Sequence, residues 1–112
     1  EKRISLHPSQ TVAEAVELMK KYDIENIPVI ENGKAVGAIS ETGLFQKIFS
    51  NPDLKNELIK NVFEPALPVA GFNTPIEKLR QLITKHNGAV LSKDEVGNYH
   101  IITKYDIIQA LG

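Results

Sequence analysis

IPVIENGKAVGAIS, residues 27–40, is the stretch from which the fold can be read. Two short apolar runs, Ile27–Ile30 and Ala35–Ser40, flank the polar turn Glu31–Lys34, and Gly33 gives that turn its freedom. This is the pattern of a β-hairpin. AVLSKDEVGNYHIIT, residues 89–103, repeats it, with strands Ala89–Ser92 and Tyr99–Thr103 around a turn that contains Gly97. Sliding the chain on itself by 63 residues brings 3–48 onto 66–111 without a gap. Four aligned positions are identical: Thr11/Thr74, Glu14/Glu77, Ile39/Ile102 and Gln46/Gln109. The repeat is therefore carried by matched apolar character, as in Ile4/Leu67, Leu6/Val69, Met19/Leu82 and Ile27/Val90.

Each hairpin is preceded by a strand and a helix. Ile4 and Leu6, like Leu67 and Val69, alternate as in a short strand. Thr11–Glu14 and Thr74–Glu77 both read as capping boxes, in which the Thr hydroxyl takes an orphan N–H and the Glu reaches back. Pro75 falls at the first helical position, where its missing donor costs nothing. Val12, Val16 and Met19, and Ile76, Leu79, Leu82 and Ile83, then recur at helical spacing. A last helix closes each half, around Gly43–Phe49 and Lys104–Leu111. Between the halves, 51–61 predicts a connecting helix carrying Leu54, Leu58 and Ile59. The fold class is α/β, or α+β in some schemes. Two β-α-β-β-α repeats, 1–50 and 62–112, pack as a pseudo-two-fold pair in one module spanning 1–112, because each half is too small to bury its own apolar faces.

Composition narrows the function. The 112 residues suit one compact domain, and thirteen basic against fourteen acidic residues leave a formal charge of −1, with no field to draw nucleic acid. The absence of Cys removes disulfides, thiolate catalysis and Cys-ligated zinc, and it fits a reducing, cytoplasmic setting. No apolar run is long enough to enter a bilayer as a span. His7, His86 and His100 stand singly, away from metal-ligand spacing, and read as surface or partly buried residues. Asp94 and Glu95 read as a solvated turn. No nucleophile elbow or phosphate-cradling glycine loop is present. The reading is of a chain with no catalytic residues and no metal site. Because it opens at Glu1, directly on a strand, it is expected to be a piece of something longer.

The pattern that carries chemistry ends the last strand of the second half, Thr103-Lys104-Tyr105-Asp106. Its counterpart runs from Ser40 to Gly43 and lacks the carboxylate. Thr-x-x-Asp before a helix is on one reading a plain capping box. On the other, a carboxylate at a strand-to-helix corner accepts hydrogen bonds from a ribose diol, beside the Thr hydroxyl and the strand end.

The duplicated arrangement, with NIPVI at 26–30 and TKYD at 103–106, resembles the cystathionine-β-synthase (CBS) domain pair, or Bateman module, over nearly the whole chain. That resemblance implies an adenosyl ligand bound in a cleft between the repeats, and regulation of an attached enzyme, channel or transporter. The insert after Phe49 and the Val62-Phe63 that follows it are similar to the C-terminal module of the cystathionine β-synthases. This implies S-adenosylmethionine as ligand, and pyridoxal phosphate (PLP) only in an upstream domain. Carried over residue by residue, Thr103 supplies the hydroxyl, Asp106 the ribose carboxylate and Ile101 the adenine-facing strand. Ile24, Glu25 and Asn26 supply the wall from the other repeat.

Two residues depart from the family pattern. His100 replaces the usual Gly, and the sequence leaves open whether its larger side chain crowds the adenine. Gly43 leaves the first half without its acceptor, so one competent site is expected. Lys104 either reaches phosphate oxygens, favouring AMP, ADP or ATP, or is a solvated lysine. Asp23, Glu25 and Asn26 would suit the amino-acid end of S-adenosylmethionine, although Glu25 reads equally as surface. The apolar helix faces Leu44, Phe45, Ile48, Phe49 and Ile107, Ile108, Leu111 predict a homodimer. The reading from another class is a structural dimerisation module with no ligand.

Overall fold

Thr11 opens the first helix as its capping box requires. Its Oγ1 accepts the Glu14 N–H at 3.2 Å, and Glu14 Oε1 accepts the Thr11 N–H at 3.0 Å. The computed structural model describes residues 4–84 and 88–111, and in it this helix, α1, runs over Val12–Tyr22. Asp23 stops it in the left-handed conformation, φ 53°, with its N–H on the Met19 carbonyl. Strands β1 (Asn26–Glu31) and β2 (Lys34–Ser40) then pair antiparallel. Asn32 and Gly33, at φ 52° and 77°, make the two-residue turn between them, which only residues tolerant of positive φ can form. The helix α2 (Glu41–Ser50) follows β2 with no residue between.

The second half repeats this order. Strand β3 (Val69–Gly71) lies parallel to β4 (Ala89–Lys93), which pairs antiparallel with β5 (Tyr99–Thr103). Helix α3 spans Ile76–Leu82 and α4 spans Lys104–Leu111. The hairpin registers match at the 63-residue offset: Asn26↔Ser40, Ile27↔Ile39 and Val29↔Gly37 become Ala89↔Thr103, Val90↔Ile102 and Ser92↔His100. The tandem β-α-β-β-α architecture is the one the sequence predicts. The registers diverge at a bulge after Val29 that makes Ile30 pair with Ala35.

Four local expectations need correction. Ile4 and Leu6 do not form a full strand. Leu6 alone bridges Val29, donating its N–H to Pro28 O at 2.9 Å and accepting from Ile30 N at 2.8 Å. The cause is Pro28. In the second half Leu91 donates to Pro68 O at 2.8 Å, and its counterpart Pro28 has no N–H to give. The leading elements of the second half are also shifted by one residue: Leu6 corresponds to Ala70, not Val69, since Val29 and Ser92 are their respective partners. One residue of slip exchanges the faces, so Ala70 is buried and Val69 is 50% exposed.

The same slip undoes the second capping box. The cap of α3 is Pro75, with ψ 150° and no side-chain hydrogen bond, so Thr74 stands one position too early and its N–H closes a turn onto Gly71 O at 3.1 Å. Finally, 51–61 forms two 3₁₀ helices, Pro52–Asn56 and Ile59–Asn61, rather than one connecting helix. Extended Glu57 and Leu58 interrupt it, and Leu58 bridges Thr11. His86 lies outside the described residues.

The chain forms two compact units, Ile4–Ala66 and, among the described residues, 67–111. The first has a core of Leu6, Val12, Met19, Ile27, Val29, Ile39, Leu44 and Ile59. Ile59, fully buried, ties the connecting segment to this unit, with its N–H on Gln10 O at 2.8 Å. The second unit centres on Ala70, Leu79, Val90 and Ile107, with Ile76, Leu82, Ile83 and Ile102 against them. Fully burying a side chain of this size contributes about 1.5–3 kcal/mol. The slip of α3 has a measurable consequence. In urea unfolding, Thr11→Ala should cost about 1 kcal/mol through its lost cap, whereas Thr74→Ala should change stability by less than about 0.5 kcal/mol.

Candidate functional site

The strand-to-helix corner of the second unit is built by Thr103 and Asp106. Asp106 Oδ2 accepts the Thr103 N–H at 2.9 Å and the Thr103 hydroxyl at 3.1 Å, while Asp106 N–H approaches Thr103 Oγ1 at 3.4 Å. This is the geometry of a capping box. It leaves Asp106 Oδ1 without a hydrogen bond among the described residues. Beside it lies an open hollow of about 510 Å³, lined by Ile76, Leu79, Ile101, Ile102, Asp106, Ile107 and Ala110. Asp106 is the sole carboxylate in an otherwise apolar lining. Of the residues singled out from sequence, Ile101 and Asp106 line the hollow. Thr103 orients the carboxylate from behind. Lys104 begins α4, is exposed, and holds its ammonium 5.4 Å from the centre of the Tyr105 ring.

His100 is paired with Asp94. Its Nε2 lies 2.8 Å from Asp94 Oδ2, both side chains being about four-fifths covered. Asp94 Oδ1 in turn accepts the N–H groups of Val96 at 3.0 Å and Asn98 at 2.9 Å. The bond to His100, then that from Asn98, holds the Asp94 carboxyl below its ordinary value. Asp94 reads from sequence as a solvated turn residue. It is the staple of the β4–β5 turn, and its spacing to the N–H groups two and four residues on is the signal that could have shown it.

Ile24, Glu25 and Asn26 sit in the first unit, at the corner that corresponds to Thr103. Asn26 pairs with Ser40, the Glu25 carbonyl accepts the Glu41 N–H at 2.8 Å, and Ile24 packs on the core. Here the chain departs from its sequence reading, because the corner has a carboxylate after all. Ser40 Oγ donates to both oxygens of Glu64, at 3.2 and 3.0 Å. No local spacing could have pointed to Glu64, which approaches from beyond the connecting segment. The lining contributed by Ile76, Leu79 and Ala110 was likewise unmarked, since these positions read as ordinary helix faces. Among the described residues no group of three or more His, Asp or Glu is placed to hold a metal, and no helix is long and apolar enough to cross a membrane.

Residues 1–50 match the family model for the CBS domain. A CBS-domain-containing protein from Agrobacterium tumefaciens superposes with a TM-score of 0.83 at 14% identity, over 99% of this chain and 85% of that one. The fold is that of a CBS-domain pair. CBSX2 from Arabidopsis thaliana, solved in complex with AMP, gives a TM-score of 0.74 at 24% identity, over 96% of this chain and 85% of that one. In sequence this chain is 25% identical over 118 residues to cystathionine β-synthase from Dictyostelium discoideum. That match takes in 98% of this chain and 23% of the length of that protein.

The Asp94 staple makes the hairpin sensitive to acid. A carboxyl whose folded value is depressed stabilises the fold above its unfolded value, near pH 4, and loses that contribution as pH falls through the folded value. Urea unfolding of Asp94→Asn beside the unchanged chain should show a deficit that is largest above that range and shrinks below it. A deficit independent of pH would place the effect of the substitution elsewhere.

Proposed function

We propose that this CBS pair is a regulatory module that senses an adenosyl compound through the Asp106 corner and biases an attached domain. The observation that carries the reading is the half-used carboxylate: Thr103 holds Oδ2, and Oδ1 is left to accept at the edge of an apolar hollow. An adenine ring suits the apolar wall near Ile101, and a ribose diol supplies the donors that Oδ1 lacks. The family resemblance adds Ile24, Glu25 and Asn26 to the ligand-binding residues of this proposal. The module then spans 1–112, with repeats 1–50 and 62–112 about the segment 51–61. A ligand that binds one arrangement of the repeats more tightly shifts the population toward it, and this is how binding would reach the attached domain.

The AMP complex of CBSX2 supports an adenine nucleotide. The likeness to the Dictyostelium cystathionine β-synthase supports S-adenosylmethionine, with a PLP-dependent lyase as the upstream part of a longer cytoplasmic chain. Lys104, over Tyr105, is the residue that would favour a phosphate-bearing ligand. The module itself carries no cofactor and no catalytic role. We also place a homodimer contact on the outward faces of α2 and α4. Leu44 and Ile107 are buried inward, whereas Phe45, Phe49, Ile108 and Leu111 are all more than 60% exposed.

Calorimetry with S-adenosylmethionine, AMP, ADP and ATP tests the ligand. One of them should bind at one site per chain, and Asp106→Ala should weaken it tenfold or more, since a charge-assisted hydrogen bond is worth about 1.5–3 kcal/mol. The loss of the cap costs about 1 kcal/mol of stability as well, so affinity is measured where the variant is folded. If none of the four binds the unchanged chain, the module is a structural one. Light scattering at high micromolar concentration should return the mass of a dimer, and a monomer there would remove the proposed contact.

A further inference from the structure

Gly43 stands where the second unit has Asp106, so α2 brings no carboxylate to its own start. Glu64 fills the place. Its Oε1 and Oε2 accept the Ser40 hydroxyl at 3.2 and 3.0 Å, and Oε2 lies 3.4 Å from the Ser40 N–H. These are the same two donors, hydroxyl and N–H of the last strand residue, that Asp106 takes from Thr103. A Cβ on Gly43 would fall on Glu64 Oε2 and 2.8 Å from Ser40 Oγ, so the carboxylate uses the space a side chain at 43 would need. The backbone holds it there. Glu64 N–H donates to Ala38 O at 2.8 Å, and Glu64 O accepts the Ala38 N–H at 2.9 Å.

The ring of Phe63 lies over Gly37, where a Cβ would come within 2.6 Å of its Cδ1. Both glycines are therefore accounted for by one segment. Lys47 Nζ, at 3.9 Å, adds a half-exposed ion pair that contributes little. The corners differ in one respect: both Glu64 oxygens are engaged at Ser40, whereas Asp106 keeps Oδ1 free among the described residues.

We infer that Glu64 is the carboxylate of the first-unit corner, delivered by residues 62–64, just past the connecting segment, in place of the helix. It latches residues 62–64 to the edge of β2 and fills this corner from within. The latch is independent of what binds the second unit, and its test contains no ligand. Glu64→Ala, Gly43→Asp and the double variant are compared in the full chain by thermal unfolding. Each single change should lower Tm by about 4–8 °C, the first by stripping Ser40 of its acceptor and the second by driving a second carboxylate onto Glu64. In the double variant the helix supplies the carboxylate instead, and at least half of the summed loss should return.

Hydrogen exchange separates the latch from the cap. The Ala38 amide should exchange tenfold or more faster in Glu64→Ala, and should stay fast in the double variant even as Tm recovers. Should Gly43→Asp not fold alone, folding of the double variant is the rescue expected. Losses that simply add in the double variant, or an Ala38 amide whose exchange is unchanged in Glu64→Ala, would overturn the inference.

Discussion

The structure depends on a corner without a loop. Strand β2 ends at Ser40 and α2 begins at Glu41; β5 ends at Thr103 and α4 begins at Lys104. A helix that starts with no lead-in has orphan N–H groups that only the last strand residue can reach. That residue must then carry a short side-chain acceptor, here a hydroxyl, and its own N–H and O–H need an acceptor outside the ladder. Once the corner is pinned, the strand before it and the helix after it are fixed in direction. Ile39 and Ile102 enter the two cores, and Leu44 and Ile107 each follow five residues on. The site inherits its geometry from this constraint. Asp106 is placed by the need of Thr103 for an acceptor, and what remains of its carboxylate is available for chemistry.

Much of this was legible in the sequence, because the signals are local. Hairpins declared themselves through alternation and turn residues, α1 through Thr11 and Glu14, and the second corner through a hydroxyl and a carboxylate three residues apart. What could not be read was set at long range. Pro28 reads as a strand residue, yet it deprives the leading strand of a donor and leaves only the Leu6 bridge. The slip around Ala70 and Pro75 breaks no local rule, since Thr74–Glu77 is as good a capping box on paper as Thr11–Glu14. Glu64 lies too far along the chain for any spacing rule. The absence of a carboxylate at Gly43 was read correctly, but the space at that position is taken by a residue from elsewhere.

The two halves thus answer the same electrostatic need differently. In the second, one residue serves as cap partner and faces the hollow. In the first, the partner comes from just beyond the connecting segment and arrives with Phe63 and a pair of backbone hydrogen bonds. Glycine at 37 and 43 is the condition for that arrangement.

The turns of the two hairpins carry a consequence for the entropy of closing them. Glu31 and Lys34 close over just two residues, Asn32 and Gly33, whose own preference for positive φ supplies the bend. Lys93 and Tyr99 close over five, with Asp94 spanning the gap by its side chain and Gly97 at φ 91°. A hairpin with a preformed bend assembles in about 1–10 μs with little loop entropy to overcome. The longer one orders five residues, held in the folded state by a carboxylate with two amides and an imidazole. Two copies of one architecture therefore close their hairpins against unequal loop entropy, the Asn32-Gly33 turn leaving less chain to order.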